Sequence, residues 1–255
     1  MKLITVLVLL LASPLQLARG DSITVSAAIS MKDALEEVAR AYEARSGDDV
    51  QLNFGSSGQL MTQIARGAPV DVFISAAGEQ MDQLARDQQI DPQTRVDVAG
   101  NRLVLIVPGD PTGTPTSFER LADRRFKRIS IGQPDSVPAG KYAMQVLTKL
   151  GLIDAVRDRL VYGANVRQVL SYVERGEVEA GIVYRTDALA ARMVFVAATA
   201  DASWHEPIRY PAAVVSASKH RDAARRFVES LRQADAQQIL TRHGFTSPPA
   251  TQPAR

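Results

Sequence analysis

Two serines, Ser56 and Ser57, stand between two glycines in FGSSGQLMTQI, Phe54 to Ile64, where an apolar run ends and a helical period begins. Leu60, Met61 and Ile64 recur at helical spacing, which predicts a helix starting near Ser57, with a serine hydroxyl there accepting from a free first-turn N–H. The glycines suit a second chemistry. Backbone without a β-carbon admits close approach by another group, and helix N-termini entered from such loops hold anions. Ser30, in TVSAAISMKDALEEVARAY, repeats the pattern, with Asp33 three residues on as in a capping box. At a third helix start, Pro138, Ala139 and Gly140 leave main-chain N–H groups open, and Asn165 caps a fourth, ahead of Val166. Tyr184 closes the apolar run Gly181-Ile182-Val183 with a hydroxyl that needs a partner when buried. Taken singly, a serine at a helix start is a plain cap more often than a ligand, and a tyrosine ending such a run is a core aromatic.

Something must bring these positions together. Short β-branched runs, Ile23–Ala27, Val50–Phe54, Val70–Ser75, Leu103–Val107, Arg128–Gly132, Leu160–Tyr162 and Ala180–Tyr184, alternate with helical patterns. That alternation predicts an α/β architecture with largely parallel sheets. In such sheets ligands sit beyond the carboxyl ends of the strands, where all four turns fall. Two segments, Asn101–Pro115 and Glu206–Ser218, read as places where the chain changes lobe.

Composition narrows the function. The chain has 255 residues, 45% hydrophobic and 23% charged, as in ordinary globular proteins. MKLITVLVLLLASPLQLARG reads as a secretory signal ending near Gly20, because its apolar run is about half the ~20 residues a bilayer span needs. With no cysteine the chain is neither disulfide-stapled nor anchored through a lipidated cysteine. The 30 basic and 28 acidic residues become 28 and 28 once Lys2 and Arg19 leave with residues 1–20. A neutral chain whose basic groups are short, such as Arg124-Arg125-Phe126-Lys127-Arg128, argues against nucleic acid as a partner. His205, His220 and His243 are scattered, no HExxH occurs, and GSSGQ is not a GxSxG elbow, so no enzyme chemistry is indicated.

Through AAISMKDALEEVA, FGSSGQLMTQIARGAPVDVFISA, GQPDSVPAGKYA, NVRQVLSYVERGE, EAGIVYRTDA, YPAAVV and the terminal HGF, the chain resembles the molybdate-binding periplasmic proteins of ABC transporters. The order and spacing of these segments carry the resemblance over nearly the whole chain after residue 20. It implies the two-lobed type II periplasmic binding-protein fold with a tetrahedral oxyanion, molybdate or tungstate, in the cleft. It implies no catalysis and no cofactor, a periplasmic monomer, and a membrane permease as partner. The expected organisation is a signal peptide at 1–20, lobe I at 21–101 and 213–246, lobe II at 102–212, and a disordered Pro-rich tail at 247–255. Carried over by position, the ligand residues are Ser30 and Ser57 from one lobe and Ala139, Val166 and Tyr184 from the other. Molybdate near neutral pH is an unprotonated dianion, so a set made only of donors suits it. Sulfate, also an unprotonated tetrahedral dianion, is the alternative, and only cavity size separates the two. Phosphate carries a proton in part and calls for an acceptor carboxylate, for which Asp33 and Asp135 are the nearest candidates. Lys141 and Arg167 lie one or two residues beyond Ala139 and Val166, as long-range cations or as salt bridges on the surface or between lobes.

Overall fold

The alternating strands divide between two five-stranded sheets. The computed structural model describes residues 20–109 and 117–249, so nearly all of the expected signal peptide and the end of the tail lie outside the described residues. In the first sheet β1 (Ser22–Ala28) pairs in parallel with β2 (Asp49–Gly55) and β3 (Val72–Ile74), because a helix crosses over after each strand. Those helices are α1 (Lys32–Ser46), α2 (Ser57–Ala65) and α3 (Gly78–Arg86). Gly47, at φ 76°, ends α1 in the left-handed conformation that glycine adopts without a steric penalty. β4 (Val96–Gly100) completes the edge of this sheet.

The chain then leaves for the second sheet, with strand order β7-β6-β8-β5-β9. Its strands are β5 (Leu103–Pro108), β6 (Ile129–Gly132), β7 (Leu160–Gly163), β8 (Ala180–Tyr184) and β9 (Val194–Thr199). Its helices are α4 (Pro138–Lys149), α5 (Ile153–Val156), α6 (Val166–Glu174) and α7 (Arg185–Ala190). The chain returns through β10 (Arg209–Val214), which lies antiparallel between β3 and β4, and ends in α8 (Arg221–Ser230) and α9 (Ala234–Arg242). Tyr42 of α1 meets Phe227 of α8 edge-on at 5.2 Å. Of the two terminal helices, α8 packs against β10 and β1 of the first sheet and α9 packs against α1.

Three features differ from the sequence reading. The strand pairing puts the return to the first sheet before Arg209, whereas the expected boundary fell after residue 212. Pro211 conceals β10 in the sequence, since proline cannot donate to a ladder; a register shift at Tyr210/Pro211 accommodates it. Nor does the tail begin at once as loose chain. Arg209 Nη1 donates to the carbonyl of Pro249 at 2.7 Å.

Candidate functional site

The carboxyl ends of β1, β2, β3, β6, β7 and β8 converge on one small cavity of about 10 Å³. Its lining includes Ser30, Ser57, Ala139, Val166 and Tyr184, brought together from both sheets, each no more than 4% exposed. A space so far below the ~300 Å³ of ordinary small-molecule pockets excludes ligands of that size. No carboxylate and no cationic side chain lines it.

Each side enters by a different route. Ser57 is the first residue of α2 but not its cap; Ser56 caps, accepting from the Gln59 N–H. Ser57 Oγ instead accepts from the Ala76 N–H at 3.0 Å, so its own proton remains free for the cavity. Ser30 is not a cap either. It sits in a 3-10 turn, Ile29–Met31, ahead of α1, and its Oγ lies 3.0 Å from Tyr210 Oη. Asp33 therefore completes no capping box; it pairs across the cleft with Arg167 at 2.5 Å.

Ala139 and Val166 occupy the first turns of α4 and α6, where N–H groups have no acceptor within the helix. Pro138 stands in the first turn of α4 and Asn165 accepts from the Gln168 N–H at 3.0 Å, as the sequence predicts. Tyr184 Oη points at the Ala76 carbonyl, 3.4 Å away. Burial raises its pKa well above the usual phenol value, so it keeps its proton and remains a donor.

Contacts between the lobes surround the cavity. The Gly58 N–H donates to the Ser136 carbonyl at 3.0 Å, and a β-carbon on Gly58 would stand 2.7 Å from that oxygen. Bare backbone at Gly58 thus serves the meeting of the lobes rather than a ligand. Lys141 reaches Glu79 at 2.6 Å, and Arg167 reaches Asp33, so both cations bridge the lobes. The Nε of Arg167 also lies 2.9 Å from Asp187, which is fully buried. Burial outweighs that neighbour and pushes the Asp187 carboxyl up to about 7.

Other titratable groups stay apart from the cavity. Asp135 interacts with Gln133 on the surface, and His243 with Glu37 at 2.9 Å. His205 lies edge-on to Tyr142, and His220 lies 3.9 Å from Asp21. Among the described residues no three His, Asp or Glu side chains cluster as a metal site. A second cavity, about 120 Å³, lies behind Ser30 beside Arg167, Arg242 and His243, but these already face Asp33, Asp187 and Glu37. It offers an anion little uncompensated positive charge.

Sequence reasoning missed Asn101 and Tyr210, which stand directly behind Ser30. Asn101 Nδ2 donates to Tyr210 Oη at 3.1 Å and to Thr186 Oγ1 at 3.0 Å. The one signal available was a polar Asn at the head of the apolar run Leu103–Val107.

Residues 23–246 match the family model described as bacterial extracellular solute-binding protein. A Bacillus subtilis protein named "Putative ABC transporter substrate-binding lipoprotein YvgL" is 44% identical over 227 residues, covering 89% of this chain and 86% of that one. The molybdate-binding protein ModA of Haemophilus influenzae is 37% identical over 90% of this chain and 92% of its own. The structure of the periplasmic molybdate-binding protein of Azotobacter vinelandii superposes with a TM-score of 0.81 at 27% identity, covering 89% of this chain and all of that one. Its two sheets with a donor-lined cavity between them, and a family match over all but the two ends, place this chain among the bacterial extracellular solute-binding proteins, which are carriers and not enzymes.

Proposed function

We propose that the cavity binds molybdate and tungstate, and that the closed protein delivers the anion to the membrane permease of an ABC transporter. One observation carries this reading. Ser30, Ser57, Ala139, Val166 and Tyr184 line a single cavity that no carboxylate enters, which fits an anion with no proton to give. Helix N-termini supply the positive end of the field. Each is worth roughly +0.5 charge, so the ends near Ser30, Ser57, Ala139 and Val166 together offer about +2 against a dianion. Fixed dipoles of this kind need no buried lysine, whose own desolvation would oppose binding.

The relatives named for molybdate support the same ligand, and the family supports an exported carrier. Export through cleavage near Gly20 leaves a free periplasmic monomer. YvgL is named a lipoprotein, but this chain has no cysteine to carry a lipid. Lobe I is assigned to the sheet containing β1 and β10 and lobe II to the sheet containing β5, closing on the ligand between them.

Calorimetry of the ligand-stripped protein against molybdate, tungstate, sulfate and phosphate tests the proposal. Tight binding of the first two, with sulfate and phosphate far weaker, is the expected result. Sulfate binding as tightly as molybdate would transfer the assignment to sulfate.

A further inference from the structure

A donor-only site requires that each hydroxyl present its proton, not its lone pair, to the anion. A serine hydroxyl rotates freely and can do either, so something must fix its polarity. For Ser57 the Ala76 N–H does this directly. For Ser30 the order can be traced back through a buried chain. The Arg102 N–H donates to Asn101 Oδ1 at 2.8 Å, which fixes the amide so that Nδ2 faces Thr186 and Tyr210. Tyr210 Oη therefore receives a proton from Asn101. Its remaining neighbour among the described residues is Ser30 Oγ at 3.0 Å, so its own proton goes there. Ser30 Oγ then accepts from behind, and its hydroxyl proton is left for the cavity it lines. Tyr210 is fully buried, and burial holds its pKa far above the ordinary phenol range, so the proton it passes forward is always present.

We infer that Tyr210, set by Asn101, is a positioning residue that turns the Ser30 proton toward the cavity and thereby biases the site against oxyanions that carry a proton. This rests on the oxyanion reading of the cavity and adds to it the source of its selectivity. A protonated anion such as hydrogen phosphate must place its own O–H somewhere. With Ser30 and Ser57 each already accepting one hydrogen bond from behind, the anion's O–H must compete for the single lone pair each has left, and an O–H that stays unpaired is costly in a buried site. Without Tyr210 Oη that lone pair is freed, and Ser30 accepts an O–H from the anion without competition.

The test compares sodium molybdate with inorganic phosphate by calorimetry at mildly alkaline pH, where phosphate is a dianion bearing one proton. Tyr210→Phe keeps the ring, which packs edge-on to Phe245 at 5.3 Å, and removes only the hydroxyl. Molybdate affinity should fall about tenfold while phosphate affinity holds or rises, narrowing the ratio at least roughly tenfold. In a Ser30→Ala background the same change should move the ratio less than about twofold, because the hydroxyl that Tyr210 orients is gone. A purely structural tyrosine would weaken both anions equally and act independently of Ser30; either result overturns the relay. Asn101→Asp provides a second route if Tyr210→Phe folds poorly. A carboxylate there takes the Tyr210 proton, so Ser30 donates backward and shows the cavity a lone pair, while its charge repels both dianions alike. The ratio should narrow further still, and an unchanged ratio would overturn the proposal. Failure of the wild-type protein to bind molybdate would overturn the oxyanion reading itself, whereas wild-type binding with an unaltered ratio in both variants overturns the relay alone.

Discussion

The two lobes approach the same cavity with different parts of the chain. In the proposed site the first offers side-chain hydroxyls, Ser30 and Ser57, each with a hydrogen-bond partner behind it, and the second offers main-chain N–H groups at Ala139 and Val166, with the Tyr184 hydroxyl between. The difference lies in what fixes the donor. A hydroxyl must be oriented by a neighbour and can be turned by mutating that neighbour, while a first-turn N–H is aimed by the helix that carries it. Affinity on the second side should thus be insensitive to side-chain identity and sensitive only to loss of the backbone proton.

Val166→Pro is the sharpest way to break that contrast. Proline is tolerated at the first position of a helix, and Asn165 already has the extended conformation (φ −159°, ψ 170°) that a following proline requires. The fold should survive, yet the N–H disappears and a ring carbon takes its place. Molybdate affinity should drop about 100-fold or more, at or above the top of the 1.5–3 kcal/mol range of one charge-assisted hydrogen bond, with little change in melting temperature. Val166→Ala should bind nearly as wild type. Equal losses in the two variants would mean that the side chain, not the backbone, makes the contact.

On the first side, adjacent serines separate capping from binding. Ser57→Ala should lower affinity ~10–150-fold and also cost about 1–3 kcal/mol of stability, since the buried Ala76 N–H loses its acceptor. Ser56→Ala should cost about 1 kcal/mol of stability through the lost cap while affinity changes little. Thermal melts with and without molybdate read both quantities. If Ser56→Ala weakens binding as much as Ser57→Ala does, the division of labour between them is wrong.

The same contrast explains what the sequence could show. Serines at helix starts and a tyrosine ending an apolar run carry a visible hydroxyl, so Ser30, Ser57 and Tyr184 are candidates by residue type. Ala139 and Val166 carry no side-chain signal; only Pro138 and Asn165 mark the helix starts that expose their N–H groups, and the resemblance supplied the rest. The seven predicted strands all occur, but β4, β9 and β10 went unread. β9 is an edge strand with three of its six residues exposed, which blurs any alternation. β4 is short and carries Asp97 and Gly100, and β10 holds Pro211. Ser57 as a cap was wrong by one residue, because cap geometry depends on the backbone angles at Ser56 (φ −71°, ψ 145°) and not on residue type.

Tyr184 tests the boundary between the two kinds of donor. Tyr184→Phe keeps the ring against Tyr142 and Tyr210, at 6.5 and 5.9 Å, and forfeits one weak 3.4 Å contact to Ala76, so stability should barely move. Affinity should fall about 3–10-fold, less than for Ser57→Ala, provided a water replaces the hydroxyl. A loss as large as that of Val166→Pro would make the tyrosine the principal donor and would reverse the weighting of the second lobe.

The smallest effect concerns neither donor set but the bridge that joins them. Arg167 follows Val166, and its guanidinium lies between Asp187 of its own lobe and Asp33 of the other. If the two lobes part to admit the anion, as proposed, Arg167 leaves Asp33 and stays beside Asp187, so the Asp33 contact would belong to the closed state alone. Asp33 is 42% exposed, which limits the pair to about 1 kcal/mol and makes it sensitive to salt. Asp33→Asn should therefore speed molybdate release in stopped flow by roughly fivefold, and the difference from wild type should shrink as salt is raised. A double-mutant cycle of Asp33→Asn with Arg167→Gln should show coupling in the release rate of the complex and none in the unfolding of the ligand-free protein. Equal coupling in both would mean that the free protein is already closed, and that the anion enters a cleft whose halves do not have to part.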